Sequence, residues 1–407
     1  MNKSYEMIIS LLQNALWNSE VKVVADCNWG EIEDIIQKHK IGSIFASINS
    51  DAIIPKGIKD RWIATAAYQV VKNKHMLADQ DIMLQLLADS DISAVIIKGA
   101  ASSQYYHYPE LRTMGDVDFV VPREKFEEAY KILSTNGFST IHKHERHIEM
   151  KHNGVLYELH RFFTVSNNPE YAQQLEDLIV SNIERHRMIN IVGYSIPVLP
   201  HLINGLVLLQ HIYQHLERGL GLRQIIDWMM FFSNVIISTE LWDEFHKYVV
   251  LTGLDKIEYY VTSMCIYRLG LTTPKGVYTA DKSICDKLLE YILSSGNFGM
   301  AQKKTETEKR VTNVLRRNKS IFQRIRMMHR IGNIHWRNKH KHDLIPPFAF
   351  FYQILHYIRE MNRNDISIMK ANSSIRQYNE KQEFLEMIGA KMKSKGNAIY
   401  NNGKYKK

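Results

Sequence analysis

The sequence predicts an α+β protein in which a small mixed sheet is set among helical segments. Two observations carry this. Apolar positions recur at three- and four-residue spacing on both sides of residues 91–200. Within 91–200 the pattern switches to short β-branched or alternating runs broken by Gly, Pro and Asn-Gly. The expected organisation is a helical segment over 1–90, an α/β core over 91–200, a helical domain over 201–300, and a basic, mostly helical region over 301–407 that ends in a disordered tail.

Within 1–90, residues 5–17, 31–40 and 58–88 read as helices, the third opening after Pro55-Lys56-Gly57. None carries a catalytic pattern. The core begins with the run 93–97, stopped by Lys98-Gly99. The run 115–121 is closed by Pro122, and 123–136 reads as an amphipathic helix with Gly137 at its C-terminal cap. The alternating runs 147–151 and 155–161 flank Asn153-Gly154, a strong hairpin signal. Residues 172–184 read as a helix, and 188–198 as strand or loop. From Pro200 the helical period returns over 202–216, 223–232, 239–250, 255–268 and 283–294. An apolar-aromatic run (348–358) and a polar helix (366–392) follow.

Composition narrows the function classes. Of 407 residues, 45% are hydrophobic and 23% charged, which excludes wholesale disorder. Three scattered cysteines and no CxxC pair exclude a disulfide framework or a zinc ribbon and suggest a reducing, cytoplasmic setting. No run is long enough to span a bilayer. Glu6 interrupts the first apolar stretch, so that stretch reads as an amphipathic helix and not as a signal peptide. The net charge of +9 is uneven: 301–345 alone carries +10, and 391–407 adds six lysines without an acid. Arginines mixed with Phe322 and Trp336 in 301–345 fit an anionic partner, either nucleic acid or a membrane surface, or else a solvated helical face. No RNA- or DNA-binding motif accompanies them.

Asp116 and Asp118 are the most informative residues. On a strand, positions two apart share a face about 7 Å apart, while Val117, Phe119 and Val121 point the other way into a core. Two carboxylates on one face repel, and a hard divalent cation such as Mg²⁺ removes that cost, with Mn²⁺ as a substitute. Glu158 and His160 share one face of their own strand. If that strand neighbours the first, Glu158 joins the aspartates. Such a trio suits two-metal phosphoryl transfer.

The stretch Ile97-Lys98-Gly99-Ala100-Ala101, then Tyr108-Pro109-Glu110-Leu111-Arg112-Thr113-Met114-Gly115-Asp116-Val117-Asp118, and later Glu158-Leu159-His160, resembles the bacterial uncharacterised nucleotidyltransferase family of the DNA polymerase β-like superfamily. The likeness covers 93–161 and extends loosely through His211 and Asp227. It implies a nucleotidyltransferase core and the transfer of a nucleoside monophosphate from a nucleoside triphosphate to an acceptor, with release of pyrophosphate. It further implies Asp116, Asp118 and Glu158 as catalytic and metal-binding residues, Glu158 also being placed to take the acceptor's proton. Many superfamily members carry Gly-Ser at the nucleotide turn, where this chain reads Lys98-Gly99-Ala100 with Ser102 and Ser103 beyond. Gly99 lets the backbone approach a phosphate. Lys98 and Arg112 are the candidates to hold the triphosphate, with Ser102 and His160 completing the expected nucleotide contacts. Lys98 could instead be a solvated strand end, and Arg112 could pair with Glu110 or Asp116. His160 could instead bond a carboxylate.

Other signals weigh less. His142, His144 and His147 are interleaved with Lys143, Glu145 and Arg146, which reads as an exposed segment and not a zinc site, although His147 begins the hairpin and could approach the acceptor. His211 and His215 share a helix face, but Ile212 stands where a metalloprotease needs Glu. Asp227, in an apolar helix, needs a partner, for which Arg223 or His211 would serve. The acceptor is expected to be a small molecule, a saccharide or peptide intermediate, or a protein side chain. Two alternatives are a catalytically silent nucleotide-binding or interaction module and an RNA-modifying nucleotidyltransferase.

Overall fold

A computed structural model describes residues 2–48, 53–274, 277 and 280–296, with separate positions between 326 and 390. The basic segment 301–345 lies almost wholly outside the described residues, as do most of 366–392 and all of the tail; of 348–358, residues 348, 349 and 351–355 are described and helical. The chain divides into two compact units, one comprising Met1–Gln302 with Ile388–Ala390 and the other the remainder. The first unit holds every element described below.

Its centre is a seven-stranded mixed sheet: β1 (Val95–Ile97), β2 (Val117–Val120), β3 (Ser139–Lys143), β4 (His147–His152), β5 (Val155–His160), β6 (Arg187–Ile191) and β7 (Tyr194–Val198), in the order β3-β4-β5-β2-β1-β7-β6. The helices are α1 (Lys3–Trp17), α2 (Trp29–His39), α3 (Lys56–Ala88), α4 (Gly99–Ser103), α5 (Phe126–Thr135), α6 (Pro169–Ser181), α7 (His201–Leu216), α8 (Leu222–Val235), α9 (Thr239–Leu251), α10 (Asp255–Leu269) and α11 (Lys282–Ser295). The mixed α/β architecture is the one the sequence predicts, with a larger sheet. The additions are β3, whose five residues are all exposed, and the hairpin β6–β7 that resolves 188–198.

Alternation in β2 and β5 gives the sheet two unlike faces. Val117, Phe119, Val155, Tyr157 and Leu159 join one apolar cluster with Met76, Leu77, Met83 and Leu87 of α3 and Phe126, Ala129 and Leu133 of α5. A buried polar clamp fixes α3 to this face: Asp79 accepts from Tyr157 Oη (2.6 Å), His152 Nδ1 (2.9 Å) and Asn153 Nδ2 (2.8 Å). The turn Asn153-Gly154 lies in the left-handed region at both positions (φ 44° and 85°), as a two-residue hairpin turn requires. The opposite face carries the acids.

Candidate active site

Strand β2 pairs in parallel with β5, and Asp118 is the register partner of Glu158. Period-two alternation then puts Asp116, Asp118, Glu158 and His160 on one face, away from the apolar cluster. On its other side β2 pairs antiparallel with β1, where Ile97 faces Asp118, so the next residue, Lys98, stands at the mouth of the same face. Lys98 has φ 58° and ψ −144°, a conformation rare outside glycine that costs about 1–3 kcal/mol. Its ammonium bonds Asp118 Oδ1 and lies 5.3 Å from the centre of the Phe163 ring. Gly99 follows at φ 32°, and a Cβ there would meet the Asp116 carbonyl at 3.5 Å.

His160 Nε2 approaches Asp118 Oδ1 at 2.8 Å and Glu158 Oε2 at 3.3 Å. Of the two alternatives for His160, the structure thus shows the carboxylate bond. Burial alone would lower the His160 pKa, but the bonds to Asp118 and Glu158 outweigh it and raise it. Asp118 is only 2% exposed. Burial works against its ionisation, yet Lys98 and His160 hold its carboxyl well below the usual range. Asp116 lacks such partners. Burial and the neighbouring Asp118 charge raise it to about 6, despite opposition from Lys98 and Arg223. One aspartate is therefore firmly ionised while its neighbour is poised near neutrality.

Arg112 is held in a buried ion pair. It is 2% exposed and binds Asp227 through both ends of its fork, Nε to Oδ1 at 2.7 Å and Nη2 to Oδ2 at 2.6 Å. Tyr106 Oη adds a third bond to Asp227 at 2.7 Å. Bidentate geometry and burial favour this partner over Glu110 or Asp116, and they also displace Arg223 and His211 as the expected partners of Asp227. Arg223 instead donates from Nη1 to the Thr113 carbonyl (3.2 Å), while its Nε is buried without a hydrogen-bond partner. Lys72 donates to the Met114 carbonyl at 3.0 Å. Arg223 and Lys72 both add positive charge near Asp116. Lys72 escaped the sequence reading because nothing in the helical spacing of 58–88 distinguishes it from a solvated lysine.

Ser102 in α4 is fully buried, and its Oγ has no hydrogen-bond partner. His211 and His215 stack edge-on in α7, 4.6 Å between ring centres. Burial, then Lys98 and Arg223, push His215 down to about 3. Among the described residues, two groups bring three metal-ligating atoms within 4.8 Å of one another: His144, His147 and Glu149, and His147, Glu158 and His160. Neither aspartate belongs to these groups. The Lys98 ammonium bonds Asp118 and so lies against this carboxylate.

Asp116 just before β2, Asp118 on it, Glu158 on β5 and the Lys-Gly turn after β1 thus lie together on one face of the sheet. A family model described as uncharacterised nucleotidyltransferase matches residues 25–270. The chain belongs to that family. The family match takes in β1–β7 and the helices α7 and α8, and so includes every acid of the candidate site. An antigenic nucleotidyltransferase-like protein from Paracoccidioides brasiliensis is similar in part, at 16% identity and a TM-score of 0.30, over 49% of this chain and 94% of that one. No curated protein matches. No helix among the described residues is long and apolar enough to cross a membrane.

Proposed function

We propose that the protein moves a nucleoside monophosphate from a nucleoside triphosphate to an acceptor, releasing pyrophosphate, with Asp116, Asp118 and Glu158 as the catalytic acids. The observation that supports this most directly is the parallel register of Asp118 with Glu158 on the polar face of the sheet. The donor set fits magnesium or manganese, being hard carboxylate oxygens with Asp116 poised to exchange a proton for a metal ion. When bound, the cation would neutralise charge on the triphosphate and lower the pKa of the attacking group.

The chain's own residues supply the rest. Asp116 and Asp118 would hold the cation. Glu158 is half-buried and acts as base for the acceptor's proton, with His160 fixing its direction. Lys98 and Arg223 supply positive charge to the phosphates. Arg223, with an unpaired Nε, takes the role first expected of Arg112. Ser102 Oγ and the Gly99 backbone are the further candidates for nucleotide contact.

Incubation with each α-labelled nucleoside triphosphate and Mg²⁺, followed by mass spectrometry of the protein and candidate acceptors, tests the reading. Label should pass to an acceptor with release of pyrophosphate. Asp116→Asn and Asp118→Asn should each abolish transfer, and unchanged transfer in both would refute the assignment.

A further inference from the structure

The loop between β3 and β4 folds three ligating side chains together beside the acids. The backbone N–H of His144 donates to the His147 carbonyl at 2.9 Å and closes the connection tightly. His147 and Glu149 lie two apart in β4, so they share a face. That face continues the acid-bearing one, because His147 is the register partner of His160 and Glu149 that of Glu158. Ring centres along the row are 4.8 Å apart from His144 to His147 and 5.4 Å from His147 to His160.

The ligating atoms are spaced as a metal cradle would space them, at distances long for charge-assisted hydrogen bonds. His144 Nε2 stands 3.2 Å from Glu149 Oε1, and His147 Nε2 stands 3.4 Å from the same oxygen. Charge-assisted hydrogen bonds between such groups close to about 2.7–2.9 Å. Zinc bonds of about 2.0–2.1 Å arranged tetrahedrally set neighbouring ligand atoms about 3.3 Å apart. The two separations bracket that edge.

We propose that His144, His147 and Glu149 bind a divalent transition-metal ion of zinc-like preference, distinct from the ion held by the aspartates. Imidazole nitrogens with a carboxylate select such a metal, whereas Mg²⁺ prefers oxygen throughout. Three protein ligands leave a fourth position open, and His144 is 52% exposed, which gives the ion an entry path and that position a route to solvent. His142, the register partner of Glu149, stands next to the set. His147 also belongs to the group with Glu158 and His160, so the proposed site adjoins the acid-bearing face.

The site stands or falls independently of nucleotidyl transfer. The full chain is stripped with chelator and titrated with Zn²⁺ against a chromophoric competitor. In parallel it is titrated with Co²⁺, whose visible absorption reports four-coordination. Wild type should take up one ion tightly, ahead of any bound at the aspartates, and His144→Ala and Glu149→Gln should each weaken that tight uptake by at least about tenfold, since loss even of an outer-shell partner costs that much. Asp116→Asn and Asp118→Asn should leave uptake unchanged. Both β4-region positions are solvent-accessible, and circular dichroism identifies any variant that misfolds. The proposal is overturned if wild type binds no Zn²⁺, if His144→Ala binds it as tightly as wild type, or if only the aspartate variants lose it.

Discussion

The ammonium of Lys98 donates to Asp118 Oδ1, the same oxygen that His160 Nε2 approaches at 2.8 Å. Lys98 thus neutralises part of the acid cluster from within, and any cation binding at the aspartates competes with it. Replacing Lys98 by Met removes the competitor. Charge-assisted bonds contribute about 1.5–3 kcal/mol each. Mn²⁺ affinity measured by calorimetry without nucleotide should therefore rise about ten- to hundredfold. Affinity for the nucleoside triphosphate in the presence of metal should fall if the ammonium serves the phosphates as proposed. A variant that binds Mn²⁺ more weakly would show that Lys98 organises the acids and does not compete at them.

Asp116 makes metal binding depend on pH. Its pKa is raised to about 6 by burial and by Asp118, so below pH 6 a proton must leave before the carboxylate can ligate. Metal affinity should fall about tenfold for each unit below pH 6 and level off above pH 7. Asp116→Asn should bind more weakly throughout and lose that slope. The sign reverses for the metal-free fold. Its raised carboxyl holds the proton better than the unfolded chain does, so this group's contribution to stability grows as pH falls from 7 towards 4. Thermal melting with and without Mn²⁺ at pH 5 and 7.5 checks both directions.

Much of this site was legible because alternation in a strand is a strict rule. Asp116, Asp118, Glu158 and His160 share a face by parity alone, and the Asn153-Gly154 turn fixes which strand turns back. Partner choice was less legible. Arg112 lies close in sequence to Asp116 but binds Asp227, 115 residues on, because pairing buried charges depends on which helix lands on the loop. Glu149 was invisible for a similar reason. The three histidines before it read as an exposed segment, and only the backbone closure from His144 to His147 turns two of them toward it. The strand β3 is exposed at all five residues, so it has no apolar face to announce it.

The Arg112–Asp227 pair ties the loop before β2 to α8. Removing one member leaves a buried charge alone, which costs about 3–5 kcal/mol. Asp227→Ala should lower unfolding free energy by that amount in denaturant titration, with Tyr106 Oη orphaned as well. The double variant Arg112→Met/Asp227→Leu should recover most of the loss, since an apolar pair of similar volume replaces both charges. A double variant no more stable than Asp227→Ala would mean that geometry, and not desolvation, dominates there.

Glu258 sets an alkaline limit on stability that is separate from the acids of the sheet. It is 1% exposed in α10 and accepts from Thr262 Oγ1 at 2.7 Å, while Thr262 accepts from Trp228 Nε1 at 3.0 Å. Burial raises its pKa to about 8, against the opposing bond from Thr262. The folded protein therefore keeps a proton that the unfolded chain surrenders near 4.5. Stability from this group is complete below pH 4.5 and declines between 4.5 and 8, by up to about 1.4 kcal/mol per pH unit. Glu258→Gln carries no titrating proton and still offers Thr262 an oxygen. Its unfolding free energy should decline less than that of wild type between pH 5 and 8, and the difference between the two should move in the variant's favour as pH rises. Parallel curves for the two proteins across that range would place the ionisation of Glu258 outside it.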